Sequence, residues 1–193
     1  MNPTMRIAGL LHAMPLTHGS LAFATLPVVT GVSDGSAWAA ASPQVDALAP
    51  DAVVALGESA RADAITFERV AVNLRDARIA DNAGVQLVDV PVVEGAPDAH
   101  FSTLPLRAMA AACESSGVAA ALSLSAGSFL CNELMFRLLD RRIPAIAGFI
   151  HVPQLPEQAA MRGGPSMDAE TSVRGVHAAL EALAAILVAE QMT

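Results

Sequence analysis

The chain has 193 residues, of which 53% are hydrophobic and 16% charged, and 11 Lys+Arg against 19 Asp+Glu give a formal net charge of −8. That length and apolar content suit one well-buried domain, read as 1–193, and are short for two. The acidic balance without a basic run argues against nucleic-acid binding, which needs a positive patch to release counterions; two cysteines with no CxxC or Cys/His spacing argue against a disulfide framework and a metal site.

Apolar spacing and turn residues divide the chain into alternating elements. Pro3 at a first helical position, with Asn2 as its cap, opens a helix over 3–13. The run from Arg6 to Leu16 loosely imitates an export signal, but His12 and Pro15 interrupt it. No stretch reaches the roughly 20 uninterrupted apolar residues of a membrane span, so no membrane partner is expected. A strand over 21–29 and a helix over 35–48 follow, then strands over 51–57, 68–74 and 87–90. Pro91 to Pro97 reads as a surface loop, with His100 beyond it exposed.

The helix–strand order then repeats: helix 103–115, strand 118–124, helix 128–140 and strand 145–151. Gly163-Gly164-Pro165 turns the chain into a closing helix over 166–190, with Ser166 as cap and Asp168 and Glu170 in its first turn. The whole predicts an α/β fold: a three-layer α/β/α domain whose mixed, mostly parallel central sheet is flanked by helices.

Three side chains stand out against this frame. Cys131 follows the Gly127 turn between a buried strand and an amphipathic helix, in the first helical turn, where unpaired backbone N–H groups favour an anion. His151 ends an apolar run just before Pro153, at the strand end where ligands of open α/β sheets bind. Cysteine and histidine, distant in sequence and convergent in space, are the minimum for thiol acyl-transfer chemistry. Glu68, placed at the start of strand 68–74, is positioned to orient that imidazole. Each also has a plain structural reading: an inert core thiol, a satisfied strand-end histidine and a solvated glutamate. Cys113, in a helical run without a turn or a base beside it, is read as structural.

Read together, Phe67 to Asn82, Phe101 to Pro105, Ser125 to Asn132 and Gly148 to Gln158 resemble the pyroglutamyl peptidase I family of cysteine peptidases, four blocks in the family's order. The resemblance places Glu68, Cys131 and His151 at the catalytic positions, and Ile79, Phe129 and Leu130 at positions lining the pocket for the lactam ring. Core packing is an equally good reading of those three. Arg78 matches an arginine near the site, where it would support its loop or form a surface ion pair. The resemblance implies removal of N-terminal pyroglutamate from peptides through a thioester, without a cofactor, by a cytoplasmic homodimer or homotetramer.

The chain also departs from the pattern. Family members carry a short apolar strand and a Gly-Phe-Asp-Pro-Phe-Gly-Gly type loop ahead of the stretch matched by Met1-Asn2-Pro3-Thr4. Gly57-Glu58-Ser59-Ala60-Arg61 stands where relatives show Gly-Gln-Ala-Gly-Gly, which brings a charge near the expected site and side chains where glycines allow positive φ. Two functional expectations follow: an active peptidase, or a weakly active or inactive relative serving as a binding or assembly module or representing a gene model without its true start.

Overall fold

The computed structural model describes residues 3–192, so the Asn2 cap lies outside the described residues. Six helices and six strands follow in the order α1 Pro3–Leu11, α2 Ala37–Leu48, β1 Ala52–Ser59, β2 Ile65–Glu68, β3 Val70–Val72, β4 Ala99–Phe101, α3 Leu106–Ser115, β5 Ala120–Ser123, α4 Leu130–Arg141, β6 Ile146–Pro153, α5 Pro156–Arg162 and α6 Ala169–Gln191.

The main sheet has the order β1-β6-β2-β5, with β1 parallel to β6, β2 parallel to β5 and one antiparallel pair, β6 with β2. β6 is therefore central, and its side chains alternate between two cores. Ile150 and Val152 join Ile65 and Phe67 under α1, α3 and α6, while Ala147 and Phe149 join Leu134, Met135 and Leu138 of α4. His151 has the parity of Phe149, so the fold aims it at the α4 face.

Local sequence explains the helices that frame this sheet. Ile7 and Leu11 of α1, and Met109 and Cys113 of α3, are buried at a spacing of one turn. Ser36 caps α2 by accepting from the Ala39 N–H at 3.1 Å. α6 is capped by Asp168, which accepts from the Thr171 N–H at 2.8 Å, and not by Ser166. A carboxylate is the better partner for the helix's positive end. By length and composition α6 could cross a bilayer, and here it packs against α3 and α1.

Several expected elements take a different form. Segment 21–29 forms no strand: β1 is an edge of the sheet and pairs only with β6, and an alternating segment without a ladder partner stays irregular. Its Leu21 and Leu26 still lean on the two cores. The strand expected over 68–74 divides at Arg69, where the chain changes partners; Arg69 N–H donates to Ser123 O at 2.9 Å and Ser102 N–H to Arg69 O at 2.9 Å. Glu68 thus ends β2 instead of starting a strand, and β3 pairs with β4 in a separate two-stranded sheet. The strand over 87–90 shrinks to a single bridge between Arg75 and Val90. His100 is half-buried, 2.9 Å from Asp140 and stacked at 4.8 Å on Phe136, so it fastens β4 to α4.

Candidate active site

The α4 face of the central strands carries the site. Thr66 lies opposite His151, and Glu68 opposite Phe149, across the antiparallel β2–β6 pair. Directly opposed and diagonal residues of such a pair share a face, which brings Glu68 alongside His151. His151 Nδ1 is 2.8 Å from Glu68 Oε1, with both side chains almost fully buried. A carboxylate only accepts, so Nδ1 carries the hydrogen and Nε2 is left for another partner.

The next neighbour comes from α4. Cys131 is the second residue of the helix, half-buried and not joined to Cys113, and it lies close enough to His151 to act on the charge of the ring. Burial alone would pull the imidazole down, but Cys131 beside it and the hydrogen-bonded Glu68 carboxylate raise it to about 9. His151 is therefore charged at neutral pH. The helix cap, Phe129, offers no side-chain hydrogen bond, so the first backbone N–H groups of α4 remain open to an anion.

The other resemblance-derived residues divide. Phe129 and Leu130 flank the sulfur at the helix start and are half-buried. Ile79 is 57% exposed, which excludes the core-packing reading for it. Arg78 is exposed and forms no ion pair among the described residues. Other groups hold that loop. Asp76 N–H donates to Ser128 O at 2.9 Å and Ser128 Oγ to Asp76 O at 2.7 Å, which ties the loop to the Cys131 turn. Asp81 accepts from Thr30 N and Oγ1, both at 2.8 Å, and from the N–H groups of Ala83 and Val85. The Thr30 backbone bond, with the others behind it, holds the Asp81 carboxyl down at about 2.

Two supporting residues escaped the sequence reading. Asn132 is fully buried; it accepts from Val72 N–H at 2.9 Å and donates to Val72 O at 2.8 Å and Leu74 O at 3.0 Å, strapping α4 to β3 beside the cysteine. Glu133 is also buried and accepts from Gly31 N–H at 3.0 Å and Arg137 Nε at 2.9 Å. Its i,i+4 spacing to Arg137 was legible in the sequence. Asn132→Ala leaves three half-buried backbone groups, Val72 N–H, Val72 O and Leu74 O, without this partner and is expected to cost about 2–4 kcal/mol in urea unfolding.

The departures at β1 are benign in place. Glu58 pairs with Arg162 of α5 and accepts from Gln158 Nε2 at 3.0 Å, so its charge is met locally. Ala60 and Arg61 keep negative φ, as among the described non-glycine residues only Ala49, Asp89 and Arg142 have positive values. A hollow of about 650 Å³ between α1 and α6, lined by Leu10, Met14, Val173 and His177, contains none of these groups. Among the described residues no three His, Cys, Asp or Glu side chains converge as metal ligands would.

The layered sheet and the sulfur–imidazole–carboxylate alignment together define an α/β protein of the cysteine-peptidase type. The family model for pyroglutamyl peptidase matches residues 1–186, and the chain belongs to that family. A pyrrolidone-carboxylate peptidase of Gloeobacter violaceus is 42% identical over 187 residues, 95% of this chain and 89% of the relative. The solved pyrrolidone carboxyl peptidase of Pyrococcus furiosus superposes with a TM-score of 0.90 at 36% identity, covering 97% of this chain and 92% of that one. Pyroglutamyl peptidase I of Bacillus amyloliquefaciens gives 0.90 at 30% identity, with 95% and 88% covered. These likenesses support the peptidase expectation over an inactive relative.

Proposed function

We propose that the chain is a cysteine-type pyroglutamyl peptidase acting through Cys131, His151 and Glu68 on peptides that begin with 5-oxoproline. The observation that carries the assignment of roles is the buried His151–Glu68 pair at 2.8 Å with Cys131 beside it at the start of α4, close enough to act on the imidazole. Cys131 gives its thiol proton to His151 and its sulfur attacks the carbonyl joining the lactam to the next residue, and the His151 imidazolium then gives that proton to the departing amine. A thioester remains on Cys131. His151, now neutral, takes a proton from water, the hydroxide adds to the thioester carbonyl, and pyroglutamate leaves as the sulfur and imidazole are restored. The open N–H groups at the start of α4 suit the oxyanion of both tetrahedral intermediates.

Phe129, Leu130 and Ile79 offer apolar surface for a neutral lactam, which needs no carboxylate to hold an ammonium group. A cytoplasmic homodimer or homotetramer goes with this reading. Analytical ultracentrifugation measures the subunit count.

The direct test is release of a fluorogenic amine from a pyroglutamyl amide, compared with the unblocked glutamyl and prolyl amides. Turnover confined to the blocked compound supports the assignment; equal turnover of all three contradicts it. The pH profile adds a second check. Because the His151 pKa is raised from 6.5 to about 9, stabilisation by the charged ring is complete below 6.5 and is lost as pH climbs through 9. The proton donor disappears over the same interval, so kcat/KM is expected to fall on the alkaline side near 9. A fall centred near the 6.5 of a free imidazole would contradict the coupling.

A further inference from the structure

Gly57 is the only buried residue of β1, and a glycine within a strand ordinarily weakens it. Two physical reasons can require one: a left-handed backbone, or an approach too close for a Cβ. The φ of Gly57 lies outside the left-handed region, which removes the first. The second applies strongly. A Cβ at position 57 would stand 2.6 Å from Phe149 Cζ, 2.8 Å from Phe149 Cε1 and 3.0 Å from Cys131 Sγ.

These neighbours belong to the site. The Phe149 ring packs on the His151 ring at 4.8 Å with a 50° tilt, and Gly57 lies opposite His151 in the parallel β1–β6 register. One bare Cα thus underlies the sulfur and the aromatic edge that flanks the imidazole. We propose that Gly57 is a positioning residue: the space left by its missing side chain is the seat on which the Cys131 sulfur and the Phe149 ring settle, and it sets the approach of that sulfur to His151.

The consequence of filling the seat follows from what can yield. Phe149 is 2% exposed and held in the core with Leu134 and Met135, so its ring has little room to retreat. Cys131 is half-buried at a helix start. The sulfur takes up the displacement and moves relative to the imidazole. A misplacement of ~1 Å in a reacting group can cost on the order of a hundredfold in rate.

The inference rests on the thiol-peptidase reading, and its test separates the two. Iodoacetamide alkylation of Cys131, followed against pH by peptide mass spectrometry, reports the sulfur–imidazole pairing without any peptide substrate. Gly57→Ala, shown folded by circular dichroism, is expected to lower neutral-pH alkylation roughly tenfold and to lower kcat on a pyroglutamyl amide about a hundredfold, with KM within about threefold. A merely structural role would lower the folded fraction and leave the pH profile of alkylation unchanged, which overturns the proposal, as does wild-type alkylation and kcat.

Should Gly57→Ala fail to fold, the comparison moves to Phe149→Leu, which removes Cζ and Cε1 and leaves the sulfur contact in place. Adding Gly57→Ala to that variant is expected to slow alkylation about threefold further; equal rates overturn the proposal. A wild-type chain that ignores pyroglutamyl amides would defeat the functional assignment, and the alkylation comparison would still decide the role of Gly57.

Discussion

Replacing Cys131 with alanine is expected to abolish release of amine from a pyroglutamyl amide, with kcat falling by at least about 10⁴-fold. The size of the effect follows from what is lost. Without the sulfur there is no covalent acyl intermediate, and hydrolysis must proceed by direct attack of water on an amide. His151 also loses a neighbour that holds its pKa up, so the proton donor weakens at the same time. The fold should survive, because the side chain is small, half-buried and at a helix start; a change within about 1 kcal/mol in urea unfolding is expected. Cys113→Ala supplies the contrast. That thiol is fully buried under α6, its Sγ lies 3.7 Å from Val118 O, and burial pushes it up to about 11. Its removal should cost about 1 kcal/mol of stability through a small cavity and leave kcat unchanged. Activity retained by Cys131→Ala, or lost in a folded Cys113→Ala, would reverse the assignment.

The contrast between the two cysteines shows what the sequence made legible. Both sit in helical, apolar surroundings, yet only Cys131 follows a glycine turn at a helix start, and Gly127 does adopt a φ of 82° there. That signal is local, as are the apolar spacings that mark α1, α3, α4 and α6. The three-layer arrangement follows from them, because alternating helices and strands have few ways to bury their faces. Partner choice is another matter. Segment 21–29 carries a strand-like pattern and forms none, while residues 68–74 serve two sheets by changing neighbours at Arg69. A period of two says which side chains share a face, but not which backbone stands alongside.

The same limit governs the site. Cys131 and His151 could be suspected from their places at a helix start and a strand end. Asn132 could not, since its role depends on Val72 and Leu74 arriving from another part of the chain. The charge of Glu58, expected near the site, is met by Arg162 of α5, an element that no apolar spacing marks. Ile79 and Arg78 entered only through the family resemblance, and both lie exposed on a loop whose anchors are Asp76, Ser128 and Asp81. The buried glutamate of the triad was the least predictable, because an arbitrary Glu is a surface residue far more often than a core one.

Glu68→Gln tests why that carboxylate is buried. Oε1 accepts from His151 Nδ1, whereas Oε2 is buried without a hydrogen-bond partner. An unpartnered carboxylate oxygen is costly, and its retention points to a need for negative charge at this spot. The amide is close to isosteric and removes that charge. If its oxygen faces His151, the Nδ1 bond survives, but the amide N–H₂ occupies the site of Oε2 without an acceptor, and the charged imidazole loses its counterion. If the N–H₂ faces His151 instead, Nδ1 must accept, and the neutral ring carries its hydrogen on Nε2, so no basic nitrogen faces the thiol or the hydrolytic water. Either outcome lowers kcat, by an expected 10²- to 10⁴-fold, with KM little changed. The direction of the pH effect separates this cause from a loss of fold. Removing the charge lowers the His151 pKa below its present value of about 9, so the alkaline limb of kcat/KM should move toward acid while urea unfolding near neutral pH still shows a folded protein. A folded Glu68→Gln enzyme with an unshifted limb and undiminished kcat would mean that the carboxylate acts on neither the charge nor the tautomer of the imidazole.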